Sequence, residues 1–158
     1  MVSAPLTALR PQPDSKARLR LWIRLLRASR LIESVARERL KTQFDATLPR
    51  FDVMAALYRK PDGMLMSEIS RFLMVSNGNV TGIVDRLVGD GFVARAQRNG
   101  DRRTSFVSLT RKGRAAFAEM AAAHESWVDE LLGSISARDA EQLSAKLKSF
   151  RSDWEGGA

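Results

Sequence analysis

The residues of this chain best suited to chemistry are short polar side chains at the start of one predicted helix. Asn77, Asn79 and Thr81 form a first turn without the bulky apolar residues that follow on the opposite face. Such a turn fits the major groove of DNA, where asparagine offers a paired donor and acceptor to adenine and threonine offers a hydroxyl and a methyl group. Helix N-termini also favour Ser and Asn for capping alone, so these three residues leave both interpretations open.

A strongly basic segment follows this helix. Residues 95–114 contain seven bases and one acid, Asp101. The bases are Arg95, Arg98, Arg102, Arg103, Arg111, Lys112 and Arg114. Two predicted strands flank a tip rich in turn-forming residues, which predicts a basic hairpin, or wing. We expect Arg103 to enter the minor groove while Asp101 positions Arg103 or Arg102, because residues two apart in a strand project to the same side.

Other DNA contacts are expected to position the protein without reading bases. Ser67, Ser76 and Arg86 are assigned to capping, phosphate positioning or internal pairing. Arg98, on the wing, is a further expected DNA contact, so the expected contacts run from Ser67 to Arg103.

Catalytic and metal-binding residues are scarce. His124 is the only histidine and the chain has no cysteine, which excludes disulfides, zinc–thiolate sites and cysteine-based redox sensing. No Ser/His/Asp spacing and no glycine-rich phosphate loop stands out. We therefore predict no enzyme activity, no metal site and no cofactor.

Two short amphipathic helices must position the polar turn. Apolar residues at 69, 72 and 73 predict the first, and apolar residues at 80, 83, 84, 87 and 88 predict the second. Residues 74–76 join them as a helix-turn-helix. Ser76 is a natural N-cap for the second helix, and Gly89 and Gly91 bracket Asp90 where that helix is expected to end, since glycine tolerates the left-handed turn.

The rest of the chain is predicted to be mainly helical and to belong to one compact unit of 158 residues. Helices are expected over 16–44, over 49–59 with Pro49 in the first turn, over 111–133 after the N-cap Thr110 and over 137–154 after the N-cap Ser136. The predicted division is a mobile arm (1–15), a helical dimerisation region (16–47 and 114–155) and a winged helix-turn-helix DNA-binding domain (48–113). No apolar run is long enough to cross a membrane, so no membrane partner and a cytoplasmic location are expected.

The formal net charge of +8 is concentrated in two places. Residues 1–63 carry +7 and residues 95–114 carry +6. On the first long helix, Arg20, Arg24, Arg27 and Arg30 share a face. They are either a solvated face or a phosphate-binding site, and the sequence permits both.

An apolar seam at the C-terminal end predicts self-association. Leu143, Leu147, Phe150 and Trp154 follow alternating four- and three-residue spacing, and one wing domain offers them no obvious partner. We expect a homodimer in which Leu19 and Ile23 of the first long helix are also partly buried. An intramolecular helical hairpin is the alternative.

Several of these motifs resemble the MarR family of winged helix-turn-helix regulators. The matching segments are LPRF at 48–51, VSNGNVT at 75–81, DRL at 85–87, GFV at 91–93, DRR at 101–103 and VSLTRKG at 107–113. The resemblance implies a mainly α fold with a small β-hairpin wing and long N- and C-terminal dimerisation helices. It further implies a repressor that releases a palindromic double-stranded DNA operator when a small-molecule effector binds.

The effector site is also implied by this resemblance. The LPRFD and VSNGNVTG segments are most similar to a branch whose effectors are aromatic acyl-CoA thioesters. On that basis Trp22, Phe51, Met54 and Met120 are expected to surround the acyl group, while Arg20, Arg24 and Arg27 bind the phosphates. The gene targets would then serve the catabolism of aromatic compounds.

Two other classes of protein compete with this interpretation. A winged-helix module for protein interaction that does not read DNA has little use for six net positive charges on a hairpin. A non-specific DNA-binding module would use that charge but needs no small-molecule effector. An enzyme acting on acyl-CoA would use the arginines of the first helix, yet the chain shows no paired base and nucleophile.

Overall fold

The computed structural model describes residues 14–97 and 105–155, apart from the side chains of residues 77, 105 and 151–155. The elements are α1 (Ser15–Phe44), α2 (Leu48–Tyr58), β1 (Met64–Leu65), α3 (Met66–Leu73), α4 (Asn77–Gly89), β2 (Val93–Gln97), β3 (Ser105–Leu109), α5 (Arg111–Leu132) and α6 (Ala137–Glu155). This order confirms the predicted fold, which is mainly helical with a small β-hairpin wing.

The sheet has one strand that the sequence pattern did not predict. Its order is β1-β3-β2 and both pairings are antiparallel, with Met64 opposite Val107 and Val93 opposite Leu109. A two-residue strand is too short to show an alternating pattern. Gly63 makes the close pairing possible, because its φ is +92° and a Cβ there would lie 2.8 Å from the carbonyl oxygen of Val107.

The core lies where α2, α3, α4 and β3 meet. The largest fully buried side chains are Leu40, Met54, Leu57, Ile69, Leu87, Val53, Val80, Val84 and Val107. In α4 the buried residues recur at three- and four-residue spacing, so one face of the helix is fixed against the core. The opposite face of α4 is left exposed.

Side-chain hydrogen bonds cap the starts of three helices, and two of these caps, Thr110 and Ser136, were predicted. The Oγ1 atom of Thr47 accepts from the backbone N–H of Arg50 at 3.4 Å, one residue before Leu48 opens α2. Thr110 Oγ1 accepts from Gly113 at 2.9 Å, and Ser136 Oγ accepts from Asp139 at 3.1 Å. Each hydroxyl satisfies an N–H group that has no partner inside its helix.

Among the described residues, two helical surfaces carry large apolar side chains that are exposed. Leu19, Trp22 and Ile23 in α1 are 56%, 58% and 40% exposed. Leu143, Leu147 and Phe150 in α6 are 47%, 46% and 64% exposed, while the side chain of Trp154 lies outside the described residues. Within the described part of the chain, α6 packs extensively on no other element, so the intramolecular hairpin is not formed.

None of the described helices combines the length and the apolar character needed to span a bilayer.

Candidate nucleic-acid interface

The helix-turn-helix is built by α3, a tight turn and α4. Met74 adopts a left-handed conformation with φ of +54°, and the N–H of Val75 donates to the carbonyl of Ser70 at 3.1 Å. Ile69 of α3 is fully buried in the core with Val80 and other apolar residues of α4. This packing fixes the angle between the helices and leaves the polar start of α4 exposed.

Of the three predicted base-reading residues, the two with described side chains occupy that exposed surface. Asn79 and Thr81 are exposed on α4, while Asn77 is its first residue and has its side chain outside the described region. Ser67 is exposed in the first turn of α3, and Arg86 is exposed near the end of α4. All five therefore belong to the helix-turn-helix.

The expected capping role of Ser76 needs correction. Ser76 occupies the N-cap position of α4 with extended backbone, but its side chain makes no capping hydrogen bond. Its carbonyl instead accepts from Val80 at 3.3 Å. The position was predicted correctly, but the hydroxyl does not satisfy the helix terminus.

Several basic residues of segment 95–114 form contacts within the protein. Arg95 forms an ion pair with Asp85 at 2.6 Å, which joins β2 to α4. Lys112 donates to the carbonyl of Asp90 at 2.9 Å, and the guanidinium of Arg114 lies 5.1 Å from the ring of Tyr58. The sequence count therefore overstates the charge available to DNA.

The wing tip falls outside the described residues. Arg98, Asp101, Arg102 and Arg103 belong to residues 98–104, between the paired strand ends Gln97 and Ser105. Their proposed DNA contacts stay predictions.

A basic cleft lies beside α4 and was not predicted. Its volume is about 740 Å³, and Gly78, Asn79, Gly82 and Arg86 form one wall. The other wall brings Arg37 and Lys41 from α1 and Arg50 from α2 to the same place. Of these four cations, Arg37, Lys41 and Arg86 are exposed beside a polar helix and suit contacts with nucleic-acid phosphates, whereas Arg50 is paired with Asp90. Only Arg86 of the four was a candidate, because the positions are distant in sequence and meet only through the fold.

A second, smaller cavity brings together three of the predicted effector residues. Phe51, Met54 and Met120 line a volume of about 100 Å³ between α1, α2, α4 and α5. Trp22 is not among them, since it lies 22 positions before Phe44 in α1, roughly 33 Å along the helix. Arg20, Arg24 and Arg27 are exposed on the same distant part of α1. Within one subunit the two predicted halves of the effector site are therefore separate.

His124 packs against aromatic side chains beside this cavity. Its ring lies 4.9 Å from the ring of Phe51 and 6.3 Å from that of Trp127. Burial lowers the pKa of His124, which favours the neutral imidazole. No group of three or more His, Cys, Asp or Glu side chains in the described region could hold a metal ion.

A half-buried carboxyl group borders α1. Burial, together with the nearby negative charge of Glu33, raises the pKa of Asp52. Both causes disfavour the ionised carboxylate.

Known proteins with the same architecture include regulators of transcription. A model of the MarR family matches residues 46–105. The transcriptional activatory protein BadR of Rhodopseudomonas palustris is 30% identical over 131 residues, which cover 80% of this chain and 74% of that protein. A crystal structure of a MarR family transcriptional regulator from Silicibacter pomeroyi is 33% identical, with a TM-score of 0.73 and coverage of 90% of this chain and 99% of the other.

The fold is also shared with a protein seen on DNA. A crystal structure of a mutant MarR from E. coli complexed with operator DNA has a TM-score of 0.73 at 23% identity. It covers 88% of this chain and 98% of the other. At this identity the match shows a common fold.

Proposed function

We propose that this protein, which belongs to the MarR family of transcriptional regulators, binds a palindromic operator as a homodimer and releases it when an aromatic effector binds. Proteins of this family are DNA-binding regulators rather than enzymes. The observation that carries the proposal is the exposed polar start of α4 lying beside a cleft with four cations. A helix with this surface can enter the major groove while the flanking cations hold the phosphate backbone.

Base reading is assigned to the start of α4. Asn77, Asn79 and Thr81 would contact base edges. Ser67, Ser76 and Arg86 would contact the backbone, and the exposed Arg37 and Lys41 add phosphate contacts from α1. On the wing, Arg103 would enter the minor groove, with Asp101, Arg102 and Arg98 supporting it.

The wing assignment can be tested directly. Arg103→Ala should weaken binding to a selected operator more than the loss of one phosphate contact, and fluorescence anisotropy measures the change. Arg138→Ala removes the same charge from exposed α6 and serves as the control. Equal affinities for both variants and the wild-type protein would remove the wing from the mechanism.

Self-association would cover the two exposed apolar surfaces of α1 and α6. Leu19 and Ile23 of one helix and Leu143, Leu147 and Phe150 of the other would be partly buried between two copies, together with Trp154. The chain then divides into a DNA-binding domain at 48–113 and a dimerisation region at 16–47 and 114–155. A dimer presents two copies of α4, which matches a palindrome with half-sites about one helical turn apart.

The effector would be an aromatic acyl-CoA whose acyl group enters the small cavity. Phe51, Met54 and Met120 supply apolar and polarisable contacts there. Because Trp22 and the arginines at 20, 24 and 27 are distant within one subunit, we assign them to α1 of the second copy. Their guanidinium groups would bind the coenzyme phosphates.

Ligand binding would act by population shift. An occupied cavity would favour a spacing of the two α4 helices that no longer matches the operator. We propose repression as the resulting mode of control at genes for aromatic catabolism. The relative BadR is named an activatory protein, so activation is the outcome that a reporter gene must distinguish.

The effector assignment is tested by operator release. An aromatic CoA thioester and the matching free acid are titrated into the protein–operator complex, with wild type, Arg24→Ala and Arg27→Ala. The proposal expects a stronger effect of the thioester and a weaker response in both variants, with Arg138→Ala as the charge control. An equal effect of the free acid, or unchanged thioester responses, would contradict phosphate binding by these arginines.

A further inference from the structure

Arg50 lies between the basic cleft and the small cavity. Arg50 and Ala46 line both, and Arg50 alone of the two carries a charge. Its side chain is only 19% exposed. The capping contact between its backbone N–H and Thr47 fixes the residue at the start of α2. A nearly buried cation therefore separates the DNA-facing surface from the proposed effector cavity.

The hydrogen bonding of this guanidinium is incomplete. One terminal nitrogen forms an ion pair with the carboxylate of Asp90. The Nε atom is buried and has no hydrogen-bond partner in the described part of the chain. A buried donor without an acceptor is unfavourable, so a further oxygen beside the Arg50 guanidinium would be stabilising if the side chain turns toward it.

Asp90, the ion-pair partner of Arg50, lies at the C-terminal end of α4, the helix proposed to read DNA. Asp90 is the C-cap of α4, and its N–H donates to the carbonyl of Arg86 at 3.0 Å. Its own carbonyl accepts from Lys112 of α5 at 2.9 Å, and Gly91 then turns the chain with φ of +76°. Arg50 and Lys112 thus hold the end of α4 from two sides. A change at Arg50 is transmitted to the helix that carries Asn79.

Apolar side chains line the small cavity beside Arg50. Met54, Leu87 and Met120 line it, and Leu87 belongs to α4. A benzene ring occupies an apolar cavity of about 150 Å³, so a volume of about 100 Å³ must widen to admit one. The flexible methionine side chains can move, and widening also displaces Leu87.

Charges around the cavity determine where an oxygen of the ligand can bind. Asp45 and Glu119 also line the cavity, and among its described lining residues Arg50 is the sole cation. Asp45 is paired with Lys41, which lowers the pKa of Asp45 and keeps it ionised. Among the described lining residues, the Arg50 guanidinium is therefore the one group that offers a ligand oxygen a charge-assisted hydrogen bond.

We propose that Arg50 binds an oxygen of the effector's acyl group and thereby competes with its own ion pair to Asp90. The oxygen is that of a carboxylate or of a thioester carbonyl, attached to an aryl group in the cavity. Arg50 is then both the orienting contact for the ligand and the positioning residue that links the cavity to α4. This inference rests on the proposed effector control and adds the residue that transmits it.

Benzoate and benzoyl-CoA are suitable probes, because the cavity is small. Binding to the DNA-free protein is measured by calorimetry, and operator affinity is measured with and without each probe. Arg50→Gln should weaken binding of the effective probe about 10-fold or more, as expected for one charge-assisted hydrogen bond. Arg50→Lys should also weaken binding, since lysine lacks the planar fork and the Nε donor.

Asp90→Asn should change the affinity for the probe in the opposite direction. Removing the competing carboxylate should tighten binding of the probe to the DNA-free protein. The same change should reduce the factor by which the probe weakens operator binding, because the ion pair that couples Arg50 to α4 is lost. Loss of a merely structural contact would not strengthen ligand binding. Arg59→Gln, at the other end of α2 and away from both cavities, is the matched control and should behave as wild type.

The outcomes separate this inference from the function on which it rests. If wild type responds to a probe while the Arg50 and Asp90 variants keep its ligand affinity and its operator response, the role of Arg50 is contradicted and effector control stands. If wild type binds operator but neither probe, both the aromatic effector and the role of Arg50 are contradicted. Should Arg50→Gln fail to fold, Arg50→Lys and Asp90→Asn decide the question.

Discussion

At the scale of single residues, exposure separates the side chains of α4 that could contact DNA bases from those that pack in the core. Val80, Val84 and Leu87 are fully buried, whereas Asn79 and Thr81 on the same helix are exposed. The sequence pattern predicted these two faces, because helical spacing fixes which side chains share a face, but Val88 of the predicted apolar repeat is 38% exposed. The bonding of each polar atom could not be predicted in this way, as Ser76 shows.

Asn79→Ala should reduce affinity for the preferred operator by about 1–3 kcal/mol and reduce affinity for random duplex much less. The reason is that a base contact is lost while phosphate contacts stay. Parallel anisotropy titrations on both duplexes measure the difference. Ser126→Ala, exposed on α5, serves as the control. Equal losses on the two duplexes would show that Asn79 contacts the backbone.

Asp52 gives a pH-dependent prediction. Its raised pKa in the folded protein means that the unfolded chain releases this proton more readily, so its contribution to stability falls as pH rises above its ordinary value of 3.8. Asp52→Asn should therefore be more stable than wild type at neutral pH, with the advantage disappearing under acidic conditions. Urea unfolding at a series of pH values measures this. An advantage that grows as the pH falls would contradict the assignment.

At the scale of elements, α5 is fixed to its neighbours at both ends. Near its C-terminal end Glu130 pairs with Arg39 of α1 at 2.7 Å, and this contact lowers the pKa of the Glu130 carboxyl. At its N-terminus Thr110 Oγ1 donates to the carbonyl of Gly91 at 2.7 Å. These contacts join the helix-turn-helix, the wing and α1.

Gly113→Ala tests the close contact at the start of α5. A Cβ at this position would lie 1.9 Å from the carbonyl oxygen of Phe92, so the helix and the wing must separate. Overpacking of this kind costs about 1–3 kcal/mol or more, and thermal unfolding should show it. Gly82→Ala meets no atom within 4 Å and should stabilise the protein by about 0.5–1 kcal/mol. Similar melting temperatures for the two variants would contradict this account of Gly113.

The basic cleft should change the salt dependence of DNA binding. The double variant Arg37→Ala/Lys41→Ala should weaken binding to all duplexes and reduce the slope of log affinity against log salt by about 1–2, since up to two phosphate contacts are lost. Lys146→Ala/Lys148→Ala removes the same charge from α6 and should keep the wild-type slope. An unchanged slope in the cleft variant would exclude Arg37 and Lys41 from the interface.

Elements also show where sequence-based prediction stops. Helix limits at Thr110 and Ser136 were predictable because capping depends on neighbouring residues. The cleft joins Arg37 to Arg86, and the ion pair of Arg95 with Asp85 removes a base from the wing. Both depend on tertiary contacts between distant residues, which periodicity and composition do not report.

At the scale of the whole molecule, two exposed apolar helix surfaces predict the dimer. Leu147→Asp should produce a monomer at micromolar concentration, because a charge would be buried in the interface. Light scattering coupled to gel filtration measures the mass. Ala145→Asp, exposed about half a turn away in α6, is the control and should stay dimeric. A monomeric wild-type protein would contradict the proposed assembly.

The proposed regulation involves both subunits, because ligand binding in the cavity of one subunit must alter the spacing of the two α4 helices. The contacts that would carry this change are local, since Leu87 lines the cavity and Asp90 ends the same helix. The effect on DNA would come from the dimer, in which a small shift at each α4 moves both away from their half-sites.

The most direct test of the central claim is equilibrium binding to a selected palindromic operator, compared with a duplex in which one half-site is scrambled. Both titrations use one salt concentration and are repeated with an aromatic CoA thioester. A dimer that reads DNA through α4 should bind the intact operator much more tightly than the scrambled one, and the thioester should weaken the tighter complex. Equal affinities for intact, scrambled and random duplexes would contradict the account.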